Sequence, residues 1–84
     1  MHIMYYIYIL KSLKDGKLYI GRTNNINGRL REHNLGHVQS TKSRTPFILL
    51  EQIEATSLAE SVKLEREYKK GYKREELKRK YGIT

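Results

Sequence analysis

Met4 to Arg22 reads MYYIYILKSLKDGKLYIGR, and the fold turns on how this stretch pairs with itself. Met4–Leu10 is dense in Ile and Tyr, and seven such residues suit a strand better than a helix. Asp15-Gly16 is a strong signal for a two-residue hairpin loop, with Lys17–Arg22 as the returning strand. That loop sets Leu13 opposite Leu18, Lys11 opposite Ile20 and Ile9 opposite Arg22. On the other face Ser12 meets Tyr19, Leu10 meets Gly21 and Tyr8 meets Thr23. Because side chains alternate across a sheet, Tyr6, Tyr8 and Tyr19 gather on one face and Ile7, Ile9, Leu18 and Ile20 on the other. The aliphatic face is the evident core. The tyrosine face calls for a second explanation.

Working outward, Thr23–Asn25 offers helix N-caps and Gly36 a C-terminal stop. The helix between them puts Ile26, Leu30 and His33 on one stripe, with Arg29 at its edge one turn before His33. Gly28 inside it costs about 1 kcal/mol relative to Ala. Residues 36–44 form a polar, basic loop, and Pro46 opens a third strand over Phe47–Ile53. Ser57-Leu58-Ala59-Glu60 has the form of a capping box, predicting a helix to about Lys70 that Gly71 breaks. A last, very basic helix is predicted from about Lys73 to Tyr81, ending at Gly82. The predicted order is ββαβαα. It makes one α+β domain over residues 1–84, a small three-stranded, mainly antiparallel sheet flanked by helices.

Eighty-four residues can bury only a small core. No cysteine is present, which excludes a disulfide scaffold, a thiolate zinc site and a cysteine nucleophile. No apolar run approaches membrane-spanning length, and Met1–Leu10 lacks the basic start and cleavage site of a signal peptide. A soluble, cytoplasmic protein is expected. Lys and Arg number 17 against 9 Asp and Glu, for a formal charge of +8. Polyanions are therefore the expected partners, nucleic acid ahead of an anionic membrane surface. The alternative is a solvated basic surface that keeps a small protein in solution.

Several residues look out of place. On the helix opened by Ser57, Leu58 and Val62 centre the expected buried stripe, and Glu65 falls on it while Glu60 and Glu67 point away. An inward carboxylate needs a cation, a metal or a donor network, or else an edge position with access to water. His33 is either a hydrogen-bonded core residue or a catalytic one. Arg29 is either a surface residue lying along the sheet or a phosphate ligand, and the tyrosines either pack or react. Together they have chemical sense. Phosphodiester hydrolysis needs a base near the attacking water, positive charge on the developing oxyanion and, in most cases, a divalent metal. A phenol is a poor base at neutral pH unless nearby cations lower its pKa.

At these residues the chain resembles the GIY-YIG nuclease superfamily. Tyr6-Ile7-Tyr8, ten intervening residues and Tyr19-Ile20-Gly21 match its two signature tripeptides. Arg29-Leu30-Arg31-Glu32-His33-Asn34, Ser40-Thr41-Lys42, Pro46 and Leu64-Glu65 follow in order, so the match runs from about Tyr5 to Lys70. The chain looks most like the small single-domain branch, similar to the N-terminal nuclease domain of the bacterial excinuclease subunit. The resemblance implies Tyr8 as general base on the nucleophilic water and Tyr19 as a hydrogen-bonding partner in the same site. It implies Arg29 on the scissile phosphate and His33 supporting the tyrosine or the water. It implies Glu65 as ligand of one divalent ion, Mg²⁺ or Mn²⁺, and Gly21 as the residue that permits close approach to the strand. Two features depart from the pattern. Tyr6 stands at the first glycine, and no asparagine follows Asn34, so a role some members give to a later asparagine is unfilled or filled by another residue.

Arg22, Lys42, Arg44, Lys69, Lys70, Lys73 and Lys78 are candidate phosphate contacts, or else simply a solvated basic face. The expected function is a metal-dependent DNA endonuclease, directed by structure or context with little sequence preference, of the kind found in DNA repair. Two alternatives stand beside it. One is a nucleic-acid-binding module without efficient cleavage. The other is a nuclease subunit that depends on a partner protein for targeting.

Overall fold

The structure is a computed structural model that describes residues 3–83, so the outermost ends of the expected 1–84 domain lie outside the described residues. The element order is β1 (Tyr5–Ser12), β2 (Leu18–Thr23), α1 (Ile26–Asn34), a 3₁₀ turn (Lys42–Arg44), β3 (Phe47–Ala55), α2 (Leu58–Tyr68) and α3 (Gly71–Lys80). The three strands form one antiparallel sheet in the order β2-β1-β3, with β1 in the centre. This is the expected α+β architecture.

The hairpin pairs two residues away from the predicted register. Tyr8 lies opposite Gly21, Leu10 opposite Tyr19 and Lys11 opposite Leu18. The reason is Ser12, a buried side chain that organises a longer loop than Asp15-Gly16 alone would make. Its Oγ accepts from the backbone N–H groups of Lys14 and Asp15, both at 3.1 Å, while its own N–H donates to the Lys17 carbonyl at 3.0 Å. Gly16 supplies the positive φ of 72° that this turn requires. Arg44 reaches over from the 3₁₀ turn and pairs with Asp15 at 2.7 Å, an interaction that holds the Asp15 carboxyl well below its usual range. Because the slip is by two residues, every side chain keeps its predicted face.

One face of the sheet buries Ile7, Ile9, Leu18 and Ile20 against Leu64 and Tyr68 of α2 and Leu77 of α3. Each fully buried isoleucine contributes about 1.5–3 kcal/mol relative to exposure. The other face buries Tyr8 and Leu10 with Phe47, under Ile26 and Leu30 of α1. β3 serves both faces because its pairing with β1 shifts between Ile9 and Leu10. Beyond that irregularity Phe47 and Leu49 turn to the tyrosine face, while Leu50 and Ile53 join the aliphatic one. The adjacent apolar pair Leu49-Leu50 is the trace of this switch in the sequence.

The helices differ from expectation in detail. Asn25 caps α1 by accepting from the Gly28 N–H at 3.0 Å, and a Cβ at Gly28 would collide with the capping amide. That glycine therefore serves the cap rather than merely weakening the helix. Gly36 ends the segment at φ 78°. In α2, Ser57 caps the Glu60 N–H at 3.1 Å, but the Glu60 carboxylate takes the Thr56 hydroxyl instead of closing a capping box. The buried stripe of α2 is not centred on Leu58 and Val62. Leu58 is 50% exposed, and the helix instead turns Ser61 and Leu64 toward the sheet. The final helix starts at Gly71 rather than Lys73, since glycine fits the first turn as well as it fits a break.

Candidate active site

The tyrosine face carries a connected polar cluster. Tyr8, on the central strand, is 3% exposed, and its hydroxyl lies 3.0 Å from His33 Nε2 and 3.4 Å from Arg29 Nε. His33, fully buried on α1, uses its other nitrogen at 2.7 Å from the Thr41 hydroxyl, which in turn reaches the Val38 carbonyl at 3.5 Å. The network assigns the protons. Arg29 can only donate to the phenol, so the phenol proton has His33 Nε2 as its acceptor. The imidazole then carries its hydrogen on Nδ1, donated to Thr41. Tyr19 packs edge-on to His33 at 5.0 Å between centroids and stands 6.3 Å from the Tyr8 ring.

Close approach at β2 depends on Gly21. The Tyr8 ring lies across this residue, and a Cβ there would strike the phenol Oη and Cζ. Gly21→Ala should therefore push the phenol off His33 and cost about 1–3 kcal/mol through overpacking. Thermal unfolding together with the His33 ring resonances checks this. An unshifted His33 signal would show that the ring had not needed the space.

Burial pushes the Tyr8 phenol above its ordinary pKa, and the Arg29 hydrogen bond offsets this only in part. Arg29 is raised in turn, chiefly by its bond to Tyr8. Burial first, and then the Arg29 charge, push His33 below its ordinary value, so it is neutral at neutral pH. An unfolded histidine titrates near 6.5. Below that pH the unfolded chain takes up a proton that folded His33 resists, and stability falls as pH drops from about 6.5 toward the folded pKa. An NMR titration of the His33 ring should give a midpoint under 6.5, with melting temperature declining over the same range. A midpoint above 6.5 would overturn this.

Arg29 also lines an open polar cleft of about 390 Å³ with Arg22, Asn24, Asn25 and Glu32, and it pairs with Glu32 at 3.3 Å. Glu65 projects from α2 toward Arg22 of β2. Its two carboxylate oxygens are taken by Arg22 Nε at 3.2 Å and Lys69 Nζ at 3.1 Å. It thus sits, half-buried, at the edge position with cationic partners that the sequence left open. Among the described residues no group of three or more His, Cys, Asp or Glu side chains could hold a metal ion. A lone carboxylate suits a Mg²⁺-like ion, which keeps most of its waters. It fits on condition that Arg22 and Lys69 release it.

The remaining candidates are dispersed. Arg44 is committed to Asp15 and to the Lys17 and Leu18 carbonyls, and it lies over the Phe47 ring. Lys70 pairs with Glu67, Lys73 with Glu76 and Lys78 with Glu75, while Lys42 is exposed. Sequence reasoning assigned no role to Thr41, which fixes the His33 ring, nor to Asn34. The Asn34 amide brackets Phe47, accepting from its N–H at 2.6 Å and donating to its carbonyl at 3.0 Å. Neither residue stands out in a polar loop or at a helix end.

Comparisons with known proteins show the family and the fold. The GIY-YIG catalytic domain family profile matches residues 4–81. A UPF0213 protein of Staphylococcus haemolyticus is 37% identical over 75 residues, covering 88% of this chain and 90% of that protein. One from Syntrophus aciditrophicus is 42% identical over 74 residues, covering 86% and 84%. The solution structure of a UPF0213 protein from Bacillus halodurans superposes with a TM-score of 0.54 at 34% identity, over 88% of this chain and 81% of that one. With its paired tyrosine motifs on β1 and β2 and its Arg-His helix above them, the chain belongs to the GIY-YIG catalytic domain family, among the small UPF0213 proteins.

Proposed function

We propose that this protein is a divalent-metal-dependent endonuclease that hydrolyses phosphodiester bonds in DNA, directed by structure or context rather than by sequence. The observation that carries the reading is the Tyr8 hydroxyl, set between a guanidinium donor and a neutral imidazole acceptor beside an arginine-lined cleft. A water donating to the ionised Tyr8 oxygen passes its proton there, and the phenol so re-formed donates to His33 Nε2. The resulting hydroxide attacks phosphorus, and Arg29, which already spans phenol and cleft, neutralises the charge that builds on the phosphate oxygens. Thr41 holds the imidazole in the required tautomer, and Tyr19 supports its face. Glu65 would hold a Mg²⁺ or Mn²⁺ ion, which would supply Lewis-acid stabilisation of the charge developing at the phosphate. Arg22, Lys42, Lys69, Lys70, Lys73 and Lys78 extend the positive surface for the backbone. Among the described residues no helix is long and apolar enough to cross a membrane, and we place the protein in the cytoplasm, where a partner would supply targeting.

The test is cleavage of labelled duplex, single-stranded, flap and branched DNA with either ion. Because Tyr8 stays protonated at neutral pH, the rate should climb continuously between pH 7 and 9. Arg29→Ala should lower it by at least tenfold. A flat pH profile would remove Tyr8 from the role of base. One observation favours a second reading: both Glu65 oxygens are occupied by cations, as suits a binding module that cuts poorly. Salt-sensitive binding of the panel without metal-dependent cutting would select it.

A further inference from the structure

A second concavity, distinct from the arginine-lined cleft, is bordered by Tyr19. It measures about 400 Å³ and is walled by Tyr19, Ser40 and Thr41, with Arg44, Lys69 and Arg74 contributing the charge. It adjoins another hollow of about 300 Å³, which shares Leu18, Arg44 and Arg74 and adds Lys17 and Lys78. Together they form a trough along β2, floored by Leu18 and bounded by the 38–44 segment on one side and α3 on the other. Five cationic side chains line it, and among the described residues no carboxylate does.

The state of those cations matters more than their number. Arg44 is fixed by Asp15 and two carbonyls, and it acts as a rigid wall. Among the described residues, Arg74 and Lys17 have no side-chain partner, and the Tyr19 hydroxyl has none either. An unpaired guanidinium at a concave, acid-free wall is a favourable point for a phosphate, which it can grip with two donors at once. Arg74 and Lys78 are one helical turn apart, about 6 Å along one face of α3, so each can meet a different phosphate. The trough is also continuous with the proposed catalytic groups. Tyr19 borders both His33 and the trough, and Lys69 lines the trough while gripping Glu65, whose other oxygen binds Arg22 of the cleft.

We propose that this trough binds the sugar-phosphate backbone of one nucleic-acid strand running away from the cleaved bond, with Arg74 as its anchor. The proposal rests on the nuclease reading for the direction of the strand. It gives Arg74, Lys17 and Ser40 a role in holding substrate.

Hexathymidylate is the probe. Arg74→Glu should weaken its binding at least tenfold relative to Lys63→Glu, an equal charge change on an exposed outward residue of α2. The slope of log affinity against log salt should also fall by about 0.7 for each phosphate that no longer meets a cation. In an NMR titration of the wild type, the amides of residues 40, 41 and 74 should shift. Arg74 is exposed and makes no side-chain bond, so the variant should melt with the wild type. Equal affinities for Arg74→Glu and Lys63→Glu, with Arg29→Ala still weakened, would overturn the trough and leave the nuclease reading intact. Trough binding by a protein that cuts nothing with either ion would overturn the nuclease reading instead. Absence of binding by the wild type at low salt would overturn both.

Discussion

Tyr8→Phe should lower metal-dependent cleavage by about 10²–10⁴-fold, the range expected when a positioned proton acceptor is removed. The substitution keeps the ring that packs with Tyr19 and His33 and keeps the clearance above Gly21, so the sheet and its register survive. What it removes is the oxygen that joins Arg29 to His33. His33 Nε2 is then left buried without its donor, at a cost of about 1–3 kcal/mol. The melting temperature should therefore fall by several degrees while the protein remains folded at 25 °C. His33 also loses its link to Arg29, and the rise of rate with pH should flatten in whatever activity remains. If Tyr8→Phe cuts at the wild-type rate, the phenol takes no part in proton transfer. A variant that loses activity only in proportion to its unfolded fraction would make Tyr8 a packing residue.

Glu65→Gln should have opposite effects on cutting and on binding. The carboxylate is the proposed protein ligand for the divalent ion, and its loss should reduce cleavage by about 10²-fold or more. It is also the counter-charge for Arg22 and Lys69, and an amide releases both cations to the solvent side. Affinity for DNA should rise. The salt dependence should steepen by about 0.9 for each cation that finds a duplex phosphate. Stability should change little, because ion pairs this exposed contribute about 0–1 kcal/mol. Cleavage and salt-dependent binding of the same preparation decide the matter. Unimpaired cutting would remove Glu65 from the metal site, and unchanged binding would show that Arg22 and Lys69 face away from the nucleic acid.

Much of this site was legible in the chain because strand alternation is indifferent to a two-residue slip. The Asp15-Gly16 signal misplaced every partner across the hairpin, yet Tyr8 and Tyr19 still fell on one face and Ile9 and Ile20 on the other. The α1 stripe was legible for the same kind of reason, since helical periodicity alone brings Ile26, Leu30 and His33 beneath one surface. On α2 the same periodicity misled. Its hydrophobic pattern favoured Leu58, while packing buried Ser61, a residue whose hydroxyl is satisfied by the Leu58 carbonyl at 2.6 Å.

The sequence by itself determined the strand faces, the helix boundaries to within a turn, the excess of positive charge and the residues with chemistry to offer. Those follow from local periodicity, capping and composition, which need no knowledge of distant neighbours. Only the tertiary structure decided what these residues are next to. It set the Tyr8 hydroxyl between Arg29 and His33, buried Thr41 against the imidazole, tied Glu65 to Arg22 across 43 positions and set Arg74 along the trough. Proton affinity and ion pairing depend on burial and on neighbours a few ångströms away. Such neighbours are brought together by packing between elements far apart in the chain, and no local pattern specifies them.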